Sequence, residues 1–179
     1  MLSIRNTTDT DLDDVLHIHR EAFGQDEEAD LVNALFNDDS ARPFHSLLAI
    51  DDDKAVGHIL FTRVQIGGNE DTLSAMILAP MAVLPGAQGK GVGGKLIRAG
   101  LQQLQESAVD LVLVLGHPAY YPRFGFKPAG ALGFEAPYPI PAEHSAAWMV
   151  MELRPGVIGS FSGSVICADA LNKPELWRE

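Results

Sequence analysis

The middle of the chain alternates apolar runs with short polar or glycine-rich breaks. Residues 46–50 and 55–66 are apolar and rich in β-branched side chains, and the polar segment 51–54 between them is typical of a hairpin. A second break at residues 67–69 precedes another apolar run over residues 72–83. The pattern predicts three consecutive antiparallel strands.

Apolar residues at helical spacing flank these strands. Residues 3–6 predict a short first strand, and the capping-box-like pair Thr8 and Asp11 predicts the start of a helix. The apolar face of that helix consists of Leu12, Val15, Leu16, His19 and Phe23. A second helix is predicted over residues 27–36 and a third over residues 92–108. The third helix should pack on the sheet through Leu96, Gly100, Leu101, Leu104 and Ala108.

The C-terminal half of the chain predicts two more strands and a long loop. Residues 111–115 are continuously apolar, as expected of a buried strand beside a crossover helix, and residues 148–153 predict the last main strand. Glycines and prolines over residues 129–141 predict a long loop, which we expect to line a binding site. Residues 154–179 form an extension without an assigned role, with a candidate short strand at residues 164–168.

Length and composition require only one domain. The chain has 179 residues, of which 46% are hydrophobic and 21% charged, as in ordinary globular proteins. We expect a single domain over residues 1–179, with a core over about 3–153 and a C-terminal extension over 154–179. No apolar run approaches the roughly 18 residues of a membrane span, and the N-terminal segment lacks the pattern of a signal peptide. These features predict a cytoplasmic protein that does not bind membranes.

The charge balance is acidic, with 24 Asp and Glu against 13 Lys and Arg and a net charge of −11. Nucleic-acid binding depends on Lys and Arg contacts to phosphates, so we expect no nucleic-acid partner. The negative field favours a cationic or amine substrate. The single Cys167 lies in a strand-like stretch and predicts core packing. The histidines lack the spacing of metal ligands, so no metal is predicted.

A glycine-rich segment follows the apolar run that ends at Val83. It reads Gln88-Gly89-Lys90-Gly91-Val92-Gly93-Gly94-Lys95 and opens the predicted third helix. The first turn of a helix carries N–H groups without an intrahelical partner, and the helix dipole adds positive potential there. The segment therefore predicts a phosphate-binding site at the start of this helix.

Two motif interpretations compete for this segment. Gly89, Gly94 and Lys95 match the P-loop pattern GxxxxGK, yet Leu96 stands where a Ser or Thr hydroxyl should bind magnesium. Gly89, Gly91 and Gly94 match the dinucleotide pattern GxGxxG, which needs an acidic residue at the end of the following strand. The strand at residues 111–115 ends instead in Gly116 and His117. Both interpretations lack a chemically necessary residue.

A third interpretation rests on a family resemblance. The segment resembles the coenzyme A signature of the GNAT superfamily of N-acetyltransferases, Gln/Arg-x-x-Gly-x-Gly/Ala, with Gln88, Gly91 and Gly93 in its defined places. The string Tyr121-Pro122-Arg123-Phe124-Gly125-Phe126 resembles the Tyr-x-x-x-Gly-Phe segment of the same superfamily. The flanking pattern extends the resemblance to roughly residues 3–153.

The resemblance implies an α/β (α+β) fold with a mixed, mostly antiparallel central sheet. We expect about six or seven strands, flanked by about four helices and splayed near the fourth and fifth strands. Pro80 agrees with this, because it cannot donate a ladder hydrogen bond and predicts a bulge or a separation from a neighbouring strand.

The implied activity is transfer of an acetyl group from acetyl-CoA to a primary amine of a small molecule or peptide, by direct attack on the thioester. The alternative is a non-catalytic coenzyme A binding or sensing module with the same fold. A homodimer is left open. The implied cofactor-binding residues are Met81, Ala82, Val83, Gln88, Gly89, Lys90, Gly91, Val92, Gly93, Gly94, Lys95 and Tyr120.

The resemblance also implies catalytic residues. Tyr121 is the expected proton donor to the leaving thiolate, with the neighbouring Tyr120 able to exchange roles with it, and His117 is a candidate relay. Many family members contact the cofactor with an asparagine in the region that here reads Gly116-His117-Pro118-Ala119. Glu28, Glu70 and Asp71 are candidate general bases.

Overall fold

The computed structural model describes residues 1–178 and builds them around one sheet. The strands are β1 Leu2–Asn6, β2 His45–Asp51, β3 Lys54–Ile66, β4 Ala75–Val83, β5 Leu111–Leu115, β6 Lys127–Pro128, β7 Phe134–Glu135, β8 Trp148–Glu152 and β9 Gly163–Ile166. The helices are α1 Leu12–Phe23, α2 Glu27–Phe36 and α3 Val92–Glu106, joined by several short 3-10 turns. No helix of the described residues is long and apolar enough to span a membrane.

The strand order is β1-β2-β3-β4-β5-β8-β6, with β9 pairing to the end of β3 and to β7. All neighbours in the main order are antiparallel except β4 and β5, which α3 connects in parallel. A parallel pair needs a crossover, and the predicted third helix supplies it. The predicted mixed, mostly antiparallel fold is therefore confirmed.

The meander forms as predicted, with small shifts at its boundaries. β4 begins at Ala75 rather than residue 72, because the N–H groups of Thr72 and Leu73 bond back to the carbonyl of Asn69 in a turn. The candidate strand at residues 164–168 is displaced to Gly163–Ile166. Strand boundaries depend on where the partner strand ends, which local sequence does not reveal.

Two helical faces differ from the prediction at their ends. In α1, Leu12 and Phe23 are exposed and Ile18 is buried, because only the middle of the helix lies against the sheet. The prediction that Ala108 packs on the sheet is wrong. α3 ends at Glu106, and Ala108 is exposed with a left-handed φ of 61° while the N–H of Val109 donates to the Leu104 carbonyl.

The helices cover opposite faces of the sheet. On one face, a Cβ added to Gly57 of β3 would lie 3.0 Å from Leu96 Cδ1 of α3. The next residue, His58, points to the other face, where its Nδ1 lies 2.8 Å from Nε2 of His19 in α1. Nε2 of His58 lies 2.8 Å from Oγ of Ser46, to which the Thr7 hydroxyl donates at 2.8 Å. This buried chain of polar groups ties α1 to β2 and β3.

β4 and β5 separate from each other part-way along their length. Their pairing covers only Ala75–Leu78 against Leu111–Val114, although β4 continues to Val83. The register of β3 against β4 shifts at the same level, opposite Pro80, so the predicted irregularity is confirmed. Met81 and Leu115 are half-buried on the two sides of the opening. The splay expected of the fold lies between them.

The C-terminal extension packs on the face that α1 and α2 cover. The N–H of Asp169 donates to Ser40 Oγ and the N–H of Ala170 donates to Asp38 Oδ2, in the turn that follows α2. The indole of Trp177 is buried and lies 5.5 Å from that of Trp148, edge to face. The extension thus covers part of the sheet that would otherwise be exposed.

Candidate functional site

The glycine-rich loop between β4 and α3 leaves a helix end open to solvent. Gly89 and Gly91 have φ values of 78° and 80°, which side chains with a Cβ rarely adopt. α3 begins at Val92, and the N–H of Lys95 makes an early helical bond, to the Gly91 carbonyl at 3.1 Å. The N–H groups of residues 92–94 lie before that bond and form a donor cluster for an anion.

Gln88 fixes the start of this loop. Its side-chain Nε2 donates to the Val83 carbonyl at 3.0 Å, across the short turn Pro85–Ala87. The bond satisfies a carbonyl at the end of β4, where the strand leaves the sheet. The glutamine of the motif therefore positions the loop by bonding to the protein's own backbone.

A cavity of about 530 Å³ opens beside the helix end and along the last residues of β4. Its walls are formed by Met81, Ala82, Val83, Ala87, Gln88, Gly89, Gly91, Val92, Gly93, Gly94, Arg98, Tyr120, Arg123 and Phe124. The structure thus brings together every implied cofactor residue except two lysines. Lys90 lines a different depression, together with His17 and Lys54, and Lys95 is exposed on the first turn of α3.

Two glycines of α3 leave space on the cavity wall that a side chain would fill. A Cβ on Gly93 would lie 2.9 Å from the Tyr120 hydroxyl oxygen and 3.4 Å from Met81 Cε. A Cβ on Gly94 would lie 3.1 Å from Arg98 Nη1. Any side chain at these positions would fill the space in front of the ligand-binding walls. The two glycines therefore keep a cradle open between α3 and the Tyr120 turn.

Four residues of the cavity escaped the sequence interpretation: Ala87, Arg98, Arg123 and Phe124. Arg98 lies four residues after Gly94 and shares its helix face, a spacing that could have indicated it. Arg123 and Phe124 lie inside the Tyr-x-x-x-Gly-Phe segment, for which the sequence predicts only a role of its tyrosine. Tertiary packing of the 3-10 turn Tyr121–Phe124 against α3 places them here.

The two neighbouring tyrosines have different surroundings. Tyr120 is half-buried on the cavity wall, where burial raises the pKa of its hydroxyl and the charges of Arg123 and Arg98 oppose that rise. Tyr121 is buried outside this cavity, and burial raises its pKa to about 12. Its ring presses against Gly116, where a Cβ would lie 2.4 Å from Cε2. Since Gly116 directly follows β5, Tyr121 stands beside the splay.

The Tyr121 hydroxyl makes no hydrogen bond to any residue in the range 1–178. It is therefore available to a ligand in the splay. His117 is exposed, and its carbonyl accepts the N–H groups of Tyr120 and Tyr121, so its backbone initiates the turn that carries both. The structure does not place the His117 side chain in the cavity.

Two of the three candidate bases lie away from the splay. Glu70 accepts the N–H of Gly68 in the β3–β4 turn, next to Asp71, and this turn is at the end of β4 away from Met81. This position contradicts the hypothesis that Glu70 or Asp71 acts as the general base in the splay. The Glu28 carboxylate accepts the Gln25 side-chain amide at 3.0 Å. No group of three or more potential metal ligands occurs among residues 1–178.

A larger cavity of about 650 Å³ lies between the long loop and the C-terminal extension. Its walls include Phe134, Tyr138, Ile140, Trp148, Val165 and Cys167. The Tyr138 hydroxyl donates to Asn172 Oδ1 at 2.8 Å and joins loop to extension. Cys167 is half-buried on the wall, and burial raises its thiol pKa to about 11, so the thiol stays protonated at neutral pH.

At the end of β5, the Trp148 wall of the larger cavity and the Tyr121 ring lie on opposite faces of the sheet. Trp148 pairs with Leu115, and the N–H of Gly116 donates to the Ala147 carbonyl at 2.9 Å, so this ladder continues past the strand. Paired residues share a face and successive residues alternate. Trp148 therefore lies on the face opposite Tyr121.

Comparison with known proteins decides the family. Residues 3–129 match the model of the acetyltransferase (GNAT) domain. The chain belongs to the GNAT acetyltransferases. Within this family it is 50% identical to the N-acetyltransferase YjhQ of Escherichia coli K12, over 91% of this chain and 90% of YjhQ. It is 30% identical to the N-acetyltransferase YhbS of the same strain, over 86% of this chain and 89% of YhbS.

Solved structures of GNAT proteins share this architecture. The crystal structure of E. coli YhbS in complex with CoA superposes with a TM-score of 0.86 at 29% identity, covering 96% of this chain and 92% of that one. A GNAT acetyltransferase of Brucella melitensis in complex with acetyl-CoA gives a TM-score of 0.76 at 31% identity, covering 96% and 98%. Similar proteins with the fold of this chain therefore bind CoA and acetyl-CoA.

Proposed function

We propose that this protein transfers the acetyl group of acetyl-CoA to a primary amine of a small molecule or peptide. The observation that carries the proposal is the glycine cradle at the start of α3, whose cavity continues along residues 81–83, where β5 no longer pairs with β4. A Cβ at Gly93 or Gly94 would fill it, so the residues present fit an extended phosphate-bearing cosubstrate. The complexes of similar GNAT proteins with CoA and acetyl-CoA support the same assignment.

Different parts of the chain bind different parts of the cosubstrate. The N–H groups of residues 92–94 hold the pyrophosphate, helped by the dipole of α3. Met81, Ala82 and Val83, at the unpaired end of β4, receive the pantetheine arm and direct the thioester into the splay. Fixing both reactants there supplies the proximity that a bimolecular acyl transfer needs.

Proton transfer follows the same geometry. The acceptor ammonium must lose a proton before its nitrogen attacks the thioester carbonyl, and the C–S bond then breaks as the thiolate leaves. Tyr121, beside the splay with a free hydroxyl and a raised pKa, keeps its proton at neutral pH and donates it to that sulfur. The products are the acetylated amine, CoA thiol and one proton.

The acceptor approaches from the other face. The cavity between the long loop and the extension reaches Trp148, opposite Tyr121 across the end of β5. An amine that enters through this cavity would not compete with the cosubstrate for one entrance. The net charge of −11 favours the approach of a cationic amine.

Calorimetric titration with acetyl-CoA tests the cradle. Gly91→Glu and Gly93→Glu should abolish binding, because each places a carboxylate at the pyrophosphate site. Gly86→Glu is the matched control, since Gly86 is exposed with nothing within 4 Å of an added Cβ. It should bind like the parent. A parent that binds no acetyl-CoA, or cradle variants that bind normally, would refute the proposal.

An assay of turnover distinguishes the proposed enzyme from the alternative function. A non-catalytic CoA-binding module would show the same titrations without releasing thiol. We expect thiol release when the parent is given acetyl-CoA and a panel of primary amines, and none with the Gly93→Glu variant. Binding without release across the panel would favour the sensing module.

A further inference from the structure

One wall of the cofactor cavity carries two stacked guanidinium groups. Cζ of Arg98 lies 5.1 Å from the ring centre of Phe124, and Cζ of Arg123 lies 5.0 Å from the ring centre of Tyr120. The two rings are 5.3 Å apart, edge to face. Cations and rings thus form one continuous surface along the cavity. Stacking fixes each guanidinium, so a ligand would have less side-chain entropy to remove.

Neither guanidinium has a carboxylate within ion-pair distance among residues 1–178. Four arginines elsewhere pair with aspartates: Arg5, Arg20, Arg42 and Arg154. With 24 acidic residues against 13 basic ones, a pair of uncommitted arginines on a single cavity is unusual for this chain. Guanidinium groups bind phosphate oxygens in a bidentate fashion, so the wall is suited to a phosphate.

The position of the arginines distinguishes two phosphates. Arg98 Nη1 lies 3.1 Å from the Cβ position of Gly94, and the Tyr120 hydroxyl lies 2.9 Å from that of Gly93. Cβ positions project sideways from a helix, whereas the free N–H groups point along its axis. The arginines therefore flank the first turn of α3, beside the N–H cluster that takes a pyrophosphate. A second phosphate group on the same ligand fits this lateral position.

We infer that Arg98 and Arg123 form the subsite for the 3′-phosphate of the CoA ribose. CoA carries this phosphomonoester in addition to its pyrophosphate, and the two would occupy adjacent cationic sites. The protein would then select CoA thioesters over acyl donors that lack the 3′-phosphate, such as dephospho-CoA or protein-bound phosphopantetheine. The inference rests on the proposed use of acetyl-CoA.

Titration of the full chain with CoA and with dephospho-CoA tests it. We expect the parent to bind CoA at least about tenfold more tightly than dephospho-CoA, as befits charge-assisted hydrogen bonds. Arg98→Met and Arg123→Met should each weaken CoA binding about tenfold or more and leave dephospho-CoA binding within about twofold. Arg63→Met, at an exposed arginine of β3 outside the cavity, should change neither affinity.

Each other outcome contradicts the subsite. Equal binding of CoA and dephospho-CoA by the parent would overturn it while leaving the proposed acetyl transfer intact. Equal losses for both ligands in Arg98→Met and Arg123→Met would assign the arginines to the pyrophosphate or to packing, with unchanged melting temperatures excluding misfolding. Binding of neither ligand by the parent would overturn the proposed function and the subsite together.

Discussion

Tyr120 and Tyr121 show how one residue of sequence separation changes chemistry. Tyr120 faces the cofactor cavity from beside Gly93, whereas Tyr121 lies against Gly116 at the end of β5. The Tyr-x-x-x-Gly-Phe motif assigned the proton donor to Tyr121, and its position beside the splay supports that proposal. The two side chains contact each other, with ring centres 5.2 Å apart, so each is the natural control for the other.

We predict that Tyr121→Phe lowers kcat by about a hundredfold or more, the usual contribution of general acid catalysis, because the leaving thiolate loses its proton donor. The dissociation constant of acetyl-CoA should stay within about twofold, because the ring that packs on Gly116 is retained. Tyr120→Phe should instead weaken acetyl-CoA binding and leave most of kcat. Steady-state thiol release and calorimetry measure both quantities. A larger kcat loss in Tyr120→Phe would exchange the two roles.

At the scale of elements, the buried polar chain between α1, β2 and β3 makes the fold sensitive to acid. Burial lowers the pKa of His19 to about 4, and burial together with the neighbouring His19 lowers that of His58 well below its ordinary value. Each pKa is lower in the folded chain than in the unfolded one, where an ordinary histidine has a pKa of about 6.5. Below that pH the unfolded chain binds more protons, so stability must fall as the pH falls.

The free energy of unfolding should therefore be constant above about pH 6.5 and decrease between about pH 6.5 and 4, by about 3 kcal/mol for His19 alone when the transition is complete. Urea denaturation at a series of pH values measures it. A His19→Leu, His58→Leu double variant should flatten this dependence, whereas His144→Leu, at an exposed position, should preserve it. An equally steep dependence in the double variant would assign it to other groups.

At the scale of the whole molecule, the C-terminal extension holds the second cavity and closes one face. The Trp177 indole packs on Trp148 and donates Nε1–H to the Leu171 carbonyl at 2.9 Å. Arg154 begins the extension by donating to the buried Asp110 at 2.7 Å, and Asp110 also accepts the N–H of Ser74. The segment is therefore anchored at both ends, beyond the residues that match the GNAT model.

We predict that Trp177→Ala destabilises the protein by about 3–5 kcal/mol, because it leaves a cavity against Trp148 and an unpaired carbonyl. Thermal or urea unfolding measures the change. Leu176→Ala is the matched control, since the neighbouring side chain is 36% exposed and should cost much less. A small effect of Trp177→Ala would mean that the extension is dispensable for the fold.

The sequence predicted those features of the fold that residues close together in the chain determine. The meander, the crossover helix and the anion-binding loop follow from local periodicity and glycine placement, and the irregularity at Pro80 follows from its missing N–H. Features that depend on distant packing were not predictable. Arg98 and Arg123 meet on one wall only because a turn after β5 folds back on α3, and the His19–His58 contact joins residues 39 positions apart. Lys90 and Lys95, which the family resemblance implied as cofactor-binding residues, do not line the cavity.

The separation of β4 from β5 divides the sheet into two halves, and a seam of four β4–β5 residue pairs joins them. Beyond the seam, the inner edge of β4 from Ala79 to Ala82 has no paired strand among residues 1–178, and the carbonyl of Val83 accepts the Gln88 side chain. A bound pantetheine arm, with its two amides, would take the place of the missing strand and connect the two halves of the sheet. Cosubstrate binding would then slow hydrogen exchange on both sides of the seam, so the ligand contributes to the cohesion of the sheet it enters.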